Sequence, residues 1–65
     1  MRNMKIRIKT YNDELPSYLT VGKVYEVWGD DGWYSQIFDD ENDMCQISMD
    51  NCDRLNGGEW EVVSE

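Results

Sequence analysis

Five short segments of strand-forming residues, each bounded by turn residues, constrain the fold of this chain more than any other feature. They are MKIRIK (4–9), KVYEVWG (23–29), WYSQIF (33–38), MCQIS (44–48) and EWEVV (59–63). These segments either alternate apolar with polar residues or are dense in β-branched and aromatic residues, and helix signals are nearly absent. The pattern predicts an all-β fold.

The connecting segments predict the turns. Residues 10–22 form a long loop that contains the only proline and ends in glycine. The sequence DDG (30–32) fits a tight hairpin turn, because glycine adopts positive φ at low cost. DDEND (39–43) predicts a slightly longer hairpin, and residues 49–58 predict one irregular or 3-10 turn before the last strand.

The size of the chain predicts a single domain, residues 1–65, near the lower limit for an independent core. Aromatic residues are therefore expected to be concentrated inside. Trp28 and Trp60 lie mid-strand and are predicted to be core residues. Tyr25 and Val27 alternate with their neighbours in the second segment, and counting alone does not decide which of the two sets faces inward.

The apolar content and the thiols of the chain predict its compartment, and we expect a cytoplasmic protein, in a host cytoplasm if the gene is viral. No apolar stretch is long enough to span a membrane, and the N-terminal MRNMKIRIK lacks the apolar segment of a signal peptide. Cys45 and Cys52 are the only thiols, and in a reducing compartment they are expected to be free rather than bridged.

Charge is distributed unevenly along the chain. The formal net charge is −8, and from Thr10 onward 14 acidic residues stand against Lys23 and Arg54, a balance of −12. Binding to nucleic-acid phosphates or to an anionic membrane is therefore not expected, and a cationic partner is predicted.

The basic residues of the first strand have a structural explanation. If the first and last strands pair, Lys5, Arg7 and Lys9 come close to Glu59 and Glu61. Opposite charges across a strand pair stabilise a sheet, so we expect ion pairing here rather than a basic binding site.

Enzymatic chemistry is not expected. The chain has no His, neither Cys has a recognisable base partner, and no Gly-rich phosphate loop is present. We predict no catalytic residue and no cofactor.

The second acidic turn has part of the pattern of a calcium-binding loop. Asp39, Glu41 and Asp43 have the one-three-five spacing of such a loop, and Asp50 falls at its twelfth position. The position that requires glycine holds Met44, and the two thiols without imidazole do not suit zinc. We predict a solvated turn and no metal.

The order and spacing of these elements over residues 5–63 resemble the Src-homology-3-like (SH3-like) barrel. ELPSYLTVGKVYEV (14–27) looks like the end of that family's long first loop, Trp33 lies where the family commonly places its peptide-stacking Trp, and Tyr11 falls near its first-loop aromatics. The family's proline-and-tyrosine motif is absent from SMDNCDRL (48–55), which argues against ordinary proline-rich peptide binding. The resemblance implies a small five-stranded SH3-like barrel with a 3-10 turn before the last strand.

The same resemblance implies a binding site. In that layout the long loop, the first hairpin and the 3-10 region converge at one end of the barrel around Trp33, while residues 39–43 occupy the opposite end. A purely solubilising role of the acidic residues is the alternative. The predicted partner-binding residues are Asp13, Glu14, Asp30, Asp31, Trp33, Tyr34, Asp50 and Asp53.

Three functions remain open. The first is a non-enzymatic acidic module that engages the basic surface of a host protein. Here LTVGKVYEV, the acidic hairpin and the closing WEVV resemble phage and prophage accessory proteins, which implies an inhibitor of a nucleic-acid-handling or defence protein that acts as a nucleic-acid mimic. The second is recognition of a basic or proline-containing peptide, and the third is a structural subunit of a larger particle.

Overall fold

A computed structural model of the chain describes residues 3–64, and these residues form an all-β structure, as predicted. Two three-stranded antiparallel sheets have the strand orders β2-β1-β6 and β3-β4-β5. The described residues contain no helix long and apolar enough to cross a membrane. The elements are β1 Lys5–Thr10, β2 Tyr25–Glu26, β3 Gly29–Asp30, β4 Ser35–Phe38, β5 Met44–Ile47, a 3-10 turn Asp53–Leu55 and β6 Glu59–Ser64.

The predicted second strand is two strands, one in each sheet, so six strands replace the expected five. The amide of Val27 donates to the Met4 carbonyl beside β1 at 2.7 Å, and the amide of Trp28 donates to the Gln36 carbonyl in β4 at 2.8 Å. The chain therefore leaves the first sheet and joins the second between these two residues. Within residues 3–64, no hydrogen-bonded pair of strands links one sheet to the other.

This crossing also corrects the prediction for Trp28, which is 58% exposed rather than part of the core. Side chains alternate between the two faces of an extended chain. Tyr25 and Val27 take the inward face, so Val24 and Trp28 point outward.

The core contains residues of both sheets and of the 3-10 turn. Ile6, Ile37 and Leu55 are fully buried, and the ring of Trp60, predicted correctly as a core residue, lies edge-on to Tyr25 with centroids 5.7 Å apart. Such aromatic pairs add to the stabilisation that burial provides. The thiols Cys45 and Cys52 are buried and free, and burial raises the pKa of Cys45.

The first and last strands pair, as predicted, but between them the described residues form one ion pair rather than a series. Arg7 lies opposite Glu61, and its Nε donates to the carboxylate at 2.6 Å. A register shift between Ile8 and Thr10 places Thr10, not Lys9, opposite Glu59.

A close backbone approach fixes the 3-10 turn against β1. A Cβ at Gly58 would lie 2.1 Å from the Thr10 carbonyl oxygen, so only glycine fits there. Asn56, which ends the turn at φ +55°, donates from its side chain to the Asn12 carbonyl, and the Asn12 side chain donates to the Asn56 carbonyl. The long loop is thereby tied to the 3-10 turn.

Candidate functional site

The β3–β4 hairpin presents an indole to solvent. Trp33 lies in the loop between these strands and is 84% exposed. The predicted third strand begins two residues later than expected, at Ser35, and this places Trp33 and Tyr34 in the loop.

Two carboxylates hold the loop that carries this indole. One oxygen of Asp31 accepts from the amides of Trp33 at 2.9 Å and Tyr34 at 2.8 Å, and Asp30 accepts from the amide of Gly32 at 2.7 Å. These amide donors from Tyr34 and Trp33 lower the pKa of Asp31, because they favour its charged form. The turn residues therefore fix the backbone of Trp33 while leaving its side chain free.

An aromatic and acidic cleft of about 340 Å³ lies beside Trp33, and we call it the acidic cleft. It contains two carboxylates, an indole and a phenol, and no basic side chain. Its lining residues are Trp33, Tyr34, Ser48, Asp50, Asn51 and Asp53.

A second cleft of about 450 Å³ adjoins the first, and we call it the Arg54 cleft. The two clefts share Tyr34, Ser48 and Asp53, so together they form one groove along β5 and the 3-10 turn. Its lining residues are Tyr18, Tyr34, Gln46, Ile47, Ser48, Cys52, Asp53 and Arg54.

Arg54 lies in the wall of its cleft, where two hydrogen bonds hold its guanidinium. Its Nε donates to the Gln46 carbonyl at 2.9 Å, and its Nη1 donates to the Tyr18 hydroxyl at 2.8 Å. The guanidinium carbon also lies 5.8 Å from the centre of the Tyr18 ring, within reach of a cation–π interaction.

The structure brings together half of the predicted partner-binding residues. Trp33, Tyr34, Asp50 and Asp53 line the acidic cleft. Asp31 supports the loop behind Trp33 without lining either cleft.

The other three predicted residues lie outside the groove. Asp30 accepts from Gly32 and from the Ser35 hydroxyl at 3.3 Å. Asp13 and Glu14 lie in the long loop that Asn56 ties to the 3-10 turn, and neither lines either of the two clefts described above.

The sequence interpretation missed Tyr18 and Arg54. Arg54 had one usable signal, since it is one of only two basic residues after residue 9. Tyr18 had none, because its part in the groove depends on a hydrogen bond to a residue 36 positions away.

The second acidic turn gathers three carboxylates outside the groove. Ligand atoms of Asp39, Glu41 and Asp43 lie within 4.8 Å of one another. Asp39 Oδ1 accepts from the amides of Glu41 at 2.9 Å and Asp43 at 3.0 Å, which is ordinary side-chain capping of a turn. The absence of a metal site here stays a prediction.

Comparison with known proteins gives no family for this chain. No protein-family model matches it, and neither a search of curated proteins nor a search of solved structures finds a match.

Proposed function

We propose that this chain is a non-enzymatic protein-binding module of the SH3-like barrel type, and that its groove binds a basic segment of another protein. Three features support the fold part of the proposal. The first and last strands pair, the second predicted strand passes from one sheet to the other, and a 3-10 turn precedes the last strand.

One observation supports the function most. Trp33 stands 84% exposed beside the carboxylates of Asp50 and Asp53. Large aromatic residues in a cleft are the side chains that most often dominate binding energy at protein interfaces. An Arg or Lys of a partner can stack on the indole while its charge pairs with the carboxylates.

The carboxylates of the groove are available to a partner, whereas two carboxylates elsewhere are paired within the molecule. Asp40 pairs with Lys23, and Glu61 pairs with Arg7, so these acidic residues are already neutralised within the molecule. The carboxylates of Asp50 and Asp53 accept no hydrogen bond and form no ion pair within the described residues. The broader hypotheses, a nucleic-acid mimic that inhibits a host protein, phage origin, a cytoplasmic location and a structural subunit, stay predictions.

To test this proposal, a library of displayed peptides of random sequence is selected for binding to the immobilised protein. The affinity of the selected peptides is then measured for the unmodified protein and for variants of its groove. Trp33→Ala is expected to weaken binding by about 30-fold or more, the effect of losing a hot-spot aromatic. Asp50→Asn combined with Asp53→Asn is expected to weaken binding and to reduce its dependence on salt.

Trp28→Ala is the matched control, since Trp28 is also an exposed tryptophan but lies outside the groove. It is expected to leave affinity unchanged. Equal losses in the two tryptophan variants, or selected peptides without basic residues, would contradict the proposed function.

A further inference from the structure

The two ends of the groove carry opposite charge. Apart from the shared residues, the acidic cleft adds Trp33, Asp50 and Asn51, while the Arg54 cleft adds one cation and no further carboxylate. Asp53 lines both clefts and so lies where they meet. A segment lying along the whole groove therefore meets negative charge at one end and positive charge at the other.

The positive charge of Arg54 is not neutralised within the described part of the chain. Arg7 and Lys23 each form an ion pair with a carboxylate, but among residues 3–64 no carboxylate lies within 4.0 Å of the Arg54 guanidinium. Its two recorded acceptors, the Gln46 carbonyl and the Tyr18 hydroxyl, are uncharged.

The guanidinium also retains donors for a ligand. An arginine has five N–H donors in a planar fork, and the two bonds to Gln46 and Tyr18 leave the others available. That fork matches the two oxygens of a carboxylate. Because Gln46 and Tyr18 already fix the side chain, little rotamer freedom remains to be lost on binding.

The geometry points to a bipolar groove: the Arg54 cleft takes the carboxylate of an Asp or Glu in the same partner segment whose basic residue occupies the acidic cleft. This inference rests on the proposed function and adds a second recognition element to it. The segment binds in one direction only, because reversing it would place each charge against a like charge. The net charge of −8 does not prevent this, since charges beyond about 10 Å are largely screened at physiological salt while a contact pair is not.

The test uses the peptides selected on the immobilised protein. We expect the selected sequences to share a basic and an acidic residue in a constant order and at a constant spacing. A synthetic peptide with these two residues exchanged is expected to bind at least about tenfold more weakly, the loss typical of a charge-assisted hydrogen bond.

Variants of Arg54 assign the acidic residue to its cleft. Arg54→Met, which keeps an unbranched stem but removes the guanidinium and its charge, is expected to lose about tenfold in affinity for the selected peptide. For a peptide in which Asn or Gln replaces the acidic residue, the affinity of Arg54→Met should be almost the same as that of the unmodified protein. Arg54→Lys should retain part of the affinity. Tyr18→Phe removes one hydrogen bond of the guanidinium, so it should cause a smaller loss, again for the peptide with the acidic residue and not for its amide counterpart.

The outcomes separate this inference from the proposed function. Basic peptides that bind through Trp33 but show no acidic preference and no sensitivity to Arg54→Met would overturn the bipolar groove and leave the proposed function standing. A selection that yields no peptide dependent on Trp33 would overturn both.

Discussion

The two acidic turns of this molecule, residues 30–34 and 39–43, resemble each other in sequence but use their carboxylates differently. In the first turn, the carboxylate of Asp31 accepts hydrogen bonds from amides of its own loop and, within residues 3–64, from no other part of the chain. In the second, Asp40 reaches residues far along the chain: Thr20 Oγ1 at 2.6 Å, Lys23 Nζ at 2.6 Å and the Tyr25 hydroxyl at 2.9 Å.

The difference assigns the turns to different tasks. The first turn is a local device that fixes the backbone beneath Trp33, so changes in it should alter the groove more than the fold. The second turn fastens the long loop to the β4–β5 hairpin, since the Asp40 amide also donates to the Tyr18 carbonyl at 2.9 Å. Changes at Asp40 should therefore alter the fold.

The largest expected effect on stability comes from Asp40→Ala. We expect a loss of about 2 kcal/mol in the free energy of unfolding, because the part-buried Tyr25 hydroxyl and the Thr20 hydroxyl lose their shared acceptor. The ion pair with Lys23 adds little, since that side chain is half exposed. Urea unfolding measures the change.

Glu41→Ala is the control for that variant, because Glu41 lies in the same turn and its side chain accepts no hydrogen bond within residues 3–64. Its unfolding free energy should change by less than about 0.5 kcal/mol. Similar losses in the two variants would show that Asp40 does not fasten the loop.

Gly32→Ala tests the backbone of the first turn and should have a smaller effect. Gly32 has φ +95°, but a Cβ there would meet no atom within 4 Å, so the cost is conformational alone, about 1 kcal/mol. Asn42→Gly is the comparison in the second turn, where Asn42 has φ +63° and glycine should be tolerated. If Gly32→Ala lowered the free energy of unfolding more than Asp40→Ala does, the first turn would not be merely local and the assignment of the two turns would be wrong.

Local patterns in the sequence predicted much of the fold. Alternation and turn residues are properties of neighbouring positions, and they predicted the all-β class, both hairpins and the 3-10 turn. The pairing of the end strands followed instead from the barrel that the sequence resembles. Alternation alone does not say which face is inside, and for that reason Trp28 was placed in the core wrongly. The division of the second strand also escaped prediction, since it depends on the partners that Val27 and Trp28 find across the two sheets.

The groove was predictable only in part. Trp33, Tyr34, Asp50 and Asp53 followed from the order of the loops in the fold that the sequence resembles. The Arg54 cleft was not foreseen, because it is made by side chains from the long loop, β5 and the 3-10 turn that meet only in the folded chain.

Acid should weaken the second turn measurably. The hydrogen bonds of Asp40 with Lys23 and Thr20 lower its pKa below the ordinary value of 3.8. A carboxyl group whose pKa is lower in the folded state contributes stability that is present above its unfolded pKa and is lost as pH falls through the folded pKa. Unfolding free energies should therefore decline below pH 3.8, and Asp40→Asn should show a shallower decline than the unmodified protein. Parallel declines would mean that other groups carry the acid sensitivity.

The smallest expected effect on stability comes from Asp31 and is confined to the first turn. The pKa of Asp31 is also lowered, by the amides of Tyr34 and Trp33, so its bonds to them should persist as pH falls past 3.8. The amide proton shifts of Trp33 and Tyr34, followed by NMR, should move together with a midpoint below that value. In Asp31→Asn these shifts should lose their pH dependence, and amide exchange at both positions should quicken, while the urea midpoint changes less than in Asp40→Ala. If Asp31→Asn instead lowered the urea midpoint as much as Asp40→Ala, the hairpin beneath Trp33 would be part of the tertiary framework, because a turn held only by its own amides can loosen without exposing the core.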